Sequence, residues 1–146
     1  MAGSKKDNFE NALLLLIFNN TTITGIGNDG MRGATTAGSL YIALYTATPA
    51  DGSAGTEAAY TNYARVAVAR SAAGWTVSGN NASNTAVVNM PTCGATGATI
   101  TGMAICKAGT AGVDDAIYWA SLTTSKTVAN GDTISFAIGD IDVTED

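Results

Sequence analysis

Between Leu40 and Pro49 the side chains alternate without a break, with Leu40, Ile42 and Leu44 on one side and Tyr41, Ala43 and Tyr45 on the other. A period of two predicts a strand buried on one face and half-covered on the other. Thr48-Pro49 stops it, because proline brings no N–H to a ladder, and Ala50-Asp51-Gly52-Ser53 reads as a turn. Placed this early, the strand is expected to be central, with later strands pairing on it.

Ahead of it the period changes. From Lys5 to Phe18 the positions Phe9, Leu13, Leu16 and Ile17 follow helical spacing, and Leu14 with Phe18 widens the stripe, which predicts one short helix ending at Asn19-Asn20. Ser4 and Asp7 have the spacing of a capping box, with aspartate in place of the usual Glu or Gln, and Met1 to Ser4 should be a mobile tail. A run of leucines from Leu13 to Leu16 is too apolar for a free helix on a monomer. The helix therefore either covers the core of the domain or docks on a neighbouring subunit. Thr21 to Ser39 is rich in glycine and threonine and reads as a connecting loop. Its Gly25-Ile-Gly27-Asn-Asp-Gly30 matches G-x-G-x-x-G, yet a helix precedes it and no apolar stripe follows, so the dinucleotide fingerprint lacks its context.

Past the Asp51–Glu57 loop, short runs with strand patterning recur: Tyr63–Arg70, Trp75–Val77, Thr85–Met90, Ala98–Lys107 with Gly102 marking a bulge, Ile117–Leu122, Thr133–Ile138 after the turn signal Asn130-Gly131-Asp132, and Ile141–Val143. About eight strands at intervals near 8–12 residues, joined by glycine-rich turns without helices, predict an all-β fold. The expected architecture is a jelly-roll-like antiparallel β-sandwich with a short N-terminal α-helix: residues 1–39 form tail, helix and loop, and residues 40–146 the sandwich domain.

Composition narrows the function. Only 13% of the 146 residues are charged, against about 25% in ordinary soluble domains. The net charge of −5 and scattered Lys and Arg disfavour nucleic acid. Histidine is absent, which removes Ser-His-Asp and Cys-His catalysis and every His-containing zinc site. Cys93 and Cys106 are too few for a four-cysteine zinc site and read as two buried free thiols, with a single bridge as the alternative. The longest apolar run, Ala12 to Phe18, falls far short of a membrane span. No secretory signal is read, so the expected site of folding is a cytoplasm, and the Asn-x-Ser/Thr matches are then chance.

Among the carboxylates, Asp114-Asp115 lacks the oxygen-rich spacing of a calcium loop, and Asp140, Asp142, Glu145 and Asp146 read as a solvated acidic end. No enzyme activity, cofactor or metal is expected. Tyr41, Tyr45, Tyr60 and Tyr63, with Arg65, flank one loop. Such rings pack on the outer face of a sheet, form a subunit interface, or make a carbohydrate platform.

Leu40-Tyr-Ile-Ala-Leu-Tyr-Thr-Ala-Thr-Pro49, Gly55-Thr-Glu57 and Tyr63-Ala-Arg65-Val resemble the opening of small structural proteins of tailed bacteriophages, and Ala120 to Phe136 resembles that family's closing hairpin. The resemblance implies an all-β module that assembles on a virion and has no catalytic residues to transfer. Members are described as tail-fibre-like or capsid-decorating. With no heptads or shaft repeats in the sequence, the expectation chosen is capsid decoration, a cement protein that clamps the mature lattice as a homo-oligomer, a trimer at a local three-fold. The expected partner is the major capsid protein, and the expected location the capsid surface after assembly in the host cytoplasm. The alternative is a tail-associated fibre or baseplate module binding a receptor or glycan. Interface candidates are Phe9, Leu13, Leu16, Ile17, Tyr41, Tyr45, Tyr63 and Arg65.

Overall fold

The computed structural model describes residues 4–112 and 115–146. Two expectations thus lie outside the described residues: the tail at residues 1–3 and Asp114 of the carboxylate pair. The fold is all-β with one helix. In chain order it comprises α1 (Asp7–Asn19), β1 (Ser39–Ala47), β2 (Thr56–Glu57), β3 (Val66–Ala69), β4 (Trp75–Ser78), β5 (Asn81–Asn84), β6 (Val88–Asn89), β7 (Ala98–Cys106), β8 (Ala116–Val128), β9 (Ser135–Phe136) and β10 (Asp142–Thr144). Among the described residues ten strands replace the eight expected; β2 and β5 are the additions, and the sheets are antiparallel. The chain forms two compact units, Met1–Ser39 with Ala69–Val87 and Phe136–Asp146, and Leu40–Val68 with Val88–Ser135.

In the first unit α1 lays Glu10, Leu14 and Phe18 inward, one position every helical turn. Phe18 meets Trp75 with ring centroids 4.7 Å apart. The capping box does not form: the N-cap is Lys6, with no side-chain cap, and Asp7 and Glu10 instead place negative charge in the first turn, where the helix dipole favours it. The other end is closed on several sides. Asn20 turns into the left-handed region at φ 57° and trades hydrogen bonds with Ala34, its amide donating to Ala34 O at 2.8 Å and its Oδ1 accepting from Ala34 N–H at 2.6 Å. Arg70 then donates to the helix-terminal carbonyls of Leu16 and Ile17, each at 2.7 Å. A cation bonded to orphan carbonyls suits the negative end of the dipole. The three-stranded sheet runs β10–β5–β4. Its buried Asn84 is satisfied on both amide atoms, donating to Ala86 O and Ala137 O at 2.8 Å each and accepting from Ile141 N–H at 2.9 Å.

In the second unit the sheet order is β2–β1–β7–β8, with β3 also on β1, so the Leu40 strand is central as expected. Leu40, Ile42 and Leu44 are buried, and the opposite face is more covered than alternation predicted, since Ala43 and Tyr45 cluster with Ala104 and Cys106. β7 and β8 shift register between Ile100 and Gly102. A Cβ at Gly102 would lie 2.7 Å from Thr48 Cγ2 and 2.9 Å from Ala120 O, so the bulge needs glycine for close approach. The Asn130-Gly131-Asp132 turn forms, with Asp132 N–H on Ala129 O at 3.0 Å and Gly131 at φ 91°. The run after it is shorter than expected. Only Ser135–Phe136 is strand, and Ile138 is 66% exposed rather than sharing a buried face.

Candidate functional site

In the second unit a cluster of charge is built on Arg65. It sits just before β3, and its side chain is only 2% exposed. A buried guanidinium is tolerable only where acceptors surround it. Here Nε donates to Glu57 Oε1 and Nη2 to Glu57 Oε2, both at 2.8 Å, a bidentate pair. Nη1 donates to Ala108 O at 2.7 Å. On the other side Asp115 takes Nη1 on Oδ2 and Nη2 on Oδ1. Glu57 comes from β2, Asp115 from the residue before β8, and Ala108 from the β7–β8 connection. One cation thereby ties the β7–β8 connection, which supplies both Ala108 and Asp115, to Glu57 of β2.

Tyr63 extends the network. Its hydroxyl donates to Glu57 Oε1 at 2.7 Å and accepts the Leu44 N–H of β1 at 3.0 Å. Its ring meets Tyr60 edge-on at 5.2 Å, and Tyr60 donates to Pro91 O at 3.0 Å. Tyr45 OH and Cys106 Sγ lie 4.0 Å apart. Burial and the bond to Glu57 push the Tyr63 phenol well above its ordinary range, and burial with Cys106 alongside does the same to Tyr45. The Glu57 bond, reinforced by Asp115, holds Arg65 charged against its own desolvation. Burial pushes the Cys106 thiol up to about 11, with Arg65 pulling the other way and Asp115 adding to the rise. A thiol so poised is neutral at physiological pH and is no nucleophile. Cys93 is buried too, and both cysteines are free.

The structure thus brings Tyr63 and Arg65 into one network and sets Tyr45 beside it, while Tyr41 packs against the Ala43, Tyr45, Ala104 and Cys106 cluster. In the first unit Phe9, Leu13, Leu16 and Ile17 are all half-buried. Their stripe is offset from the fully buried one at Leu14 and Phe18. Phe9 lines an apolar hollow with Ala12, Leu15, Ile23 and Ile26. Sequence reasoning missed Glu57 and Asp115 as partners of Arg65. The available signal was an arginine one residue from a strand of valines and alanines, a place where a cation needs a carboxylate from elsewhere. Among the described residues no three His, Cys, Asp or Glu side chains come together as metal ligands, and no helix is long and apolar enough to cross a membrane.

No curated protein matches the sequence. A family model does. Residues 6–144, nearly the whole chain, match the family described as podophage GP4 fiber I protein gp80, in line with the tailed-phage resemblance of the Leu40, Tyr63 and Ala120 blocks. The chain belongs to this family of tailed-phage structural proteins.

Proposed function

We propose that the protein is a non-catalytic structural subunit of a virion fibre. The observation that carries this is the match over residues 6–144 to a family described by a podophage fibre protein. The site chemistry supports it. The polar groups that an enzyme would keep free are here bonded to one another, with Arg65, Glu57, Asp115 and Tyr63 closed into one network. Such a cluster holds segments in place. Subunit contacts would be made by the half-buried apolar positions Phe9, Leu13, Leu16 and Ile17 of α1, in a homo-oligomer for which a trimer remains our choice.

A second reading, decoration of the capsid shell through contacts with the major capsid protein, is favoured by the absence of heptads or shaft repeats from the sequence. Immunogold labelling of purified particles, followed by cryo-EM, separates the two. Label confined to fibres at the tail is expected. Dense label over the head would replace the fibre reading with the decoration reading, and particles carrying no label would overturn both.

A further inference from the structure

Trp119 of β8 is 46% exposed, whereas Tyr45 and Tyr60 of the same unit are buried. It does not stand alone. It lines a surface cleft of about 220 Å³ together with the Pro49–Ala54 loop, Tyr45, Asp115 and Ala116. A second hollow of about 320 Å³ shares Tyr45, Ala54 and Gly112 with it and reaches Glu57 and Arg65. All of these residues belong to the second unit.

The groups on this cleft have a consistent chemistry. Trp119 offers a half-exposed indole with an N–H donor. Asp51, on the rim, is exposed and makes no hydrogen bond or ion pair among the described residues, so its carboxylate is free to accept. Ser53 adds a hydroxyl, which accepts only a long 3.4 Å bond from Gly55 N–H. Asp115 is clamped by Arg65, which fixes where its carboxylate stands. The cation itself is engaged by Glu57, Asp115 and Ala108, and no other Lys or Arg lines the cleft among the described residues. An anionic ligand would meet carboxylates without a counter-charge. A ligand rich in hydroxyl donors, with an apolar C–H face to lie on the indole, fits each of these groups.

We propose that this cleft binds a neutral saccharide, with the sugar ring stacked on Trp119 and its hydroxyls donated to Asp51 and Asp115. The site does not depend on where the subunit sits on the particle. A fibre subunit and a head-decorating one would both carry it outward or lose it inward according to their orientation.

The test uses the full chain labelled with ¹⁵N and a panel of methyl glycosides of glucose, galactose, mannose and N-acetylglucosamine, with N-acetylneuraminic acid as the anionic comparison. Each is titrated to about 50 mM, which covers millimolar affinity. At least one neutral glycoside should shift the Trp119 indole N–H resonance saturably while leaving that of the buried Trp75 in place. Trp119→Ala and Asp51→Asn should each weaken that binding tenfold or more, with the rest of the amide spectrum intact. Both positions are exposed, and the unchanged amide spectrum checks that each variant folds. Three outcomes would overturn the proposal: no neutral glycoside shifts the resonance, N-acetylneuraminic acid binds as well as they do, or Trp119→Ala dissolves a wild-type oligomer, which would make the cleft a seam between copies. None of these bears on the labelling experiment above, so the two readings fail separately.

Discussion

Arg65 shows what a single buried charge demands of the chain around it. Removing it leaves Glu57 and Asp115 facing each other at the floor of a largely buried site with no counter-charge. Arg65→Ala should therefore lower the stability of the second unit by about 3–5 kcal/mol, read as a shift of the denaturant midpoint. Arg65→Lys keeps the charge but loses the fork that reaches Glu57 on two atoms, so it should recover only part of that loss. A loss in the alanine variant no larger than that of an exposed substitution would show that the network contributes nothing. The same neighbourhood fixes a dependence on pH. The Cys106 thiol is raised from 9.0 to about 11 by burial first, with Tyr45 and Tyr63 raised alongside it. For a group raised in the folded state, its stability contribution is full below the unfolded value and is lost as pH climbs through the folded one. Thermal stability should hold up to pH 9 and then fall between pH 9 and pH 11, at a rate on the order of 1 kcal/mol per pH unit for one such group. Cys106→Ala should flatten that slope without abolishing it, because the two phenols continue the trend at higher pH. An unchanged slope in that variant would remove Cys106 from the account.

Among the elements, α1 depends on a residue outside itself. Arg70 bonds the Leu16 and Ile17 carbonyls and also reaches Ala37 O at 3.2 Å. Arg70→Ala should cost about 1–3 kcal/mol through carbonyls left without a partner. Hydrogen exchange should then quicken in α1 while the β7–β8 amides keep their protection. Uniform quickening across both would mean that the arginine does more than close the helix. The helix itself was legible because its apolar residues recur at 3.6, and so were β1 and β7, including the Gly102 bulge. β5 was not legible. Asn81-Ala-Ser-Asn84 has no β-branched or aromatic residue, and it is a strand because β4 and β10 pair on either side of it and Asn84 finds three partners. The same holds for the far half of β8, where Thr123 to Thr127 is exposed and polar and owes its extended state to its place beside β7. Thr133–Ile138 failed in the opposite sense. Its alternation is clean, but pairing reaches only Ser135–Phe136, and periodicity alone does not supply a partner.

At the scale of the whole molecule, the sequence carries more apolar surface on α1 than its own unit covers. Leu14 and Phe18 are fully buried, whereas Phe9, Leu13, Leu16 and Ile17 remain half-exposed along one flank. Half-covered leucines on a chain with little charge are where self-association would begin, since covering them returns about 25 cal/mol for each Å² of apolar area removed from water. That partial exposure also makes the idea testable without wrecking the fold. In Leu13→Glu/Leu16→Glu the buried stripe is untouched, so the far-UV circular dichroism should match the wild type. Light scattering should show the wild-type chain as an oligomer and the double variant as a monomer, and particles assembled with the variant should lack it. A variant that keeps both the wild-type mass and its place on the particle would remove α1 as the docking element. The subunit contacts would then have to be sought in the second unit, where Trp119 is the one large exposed hydrophobic side chain among the described residues.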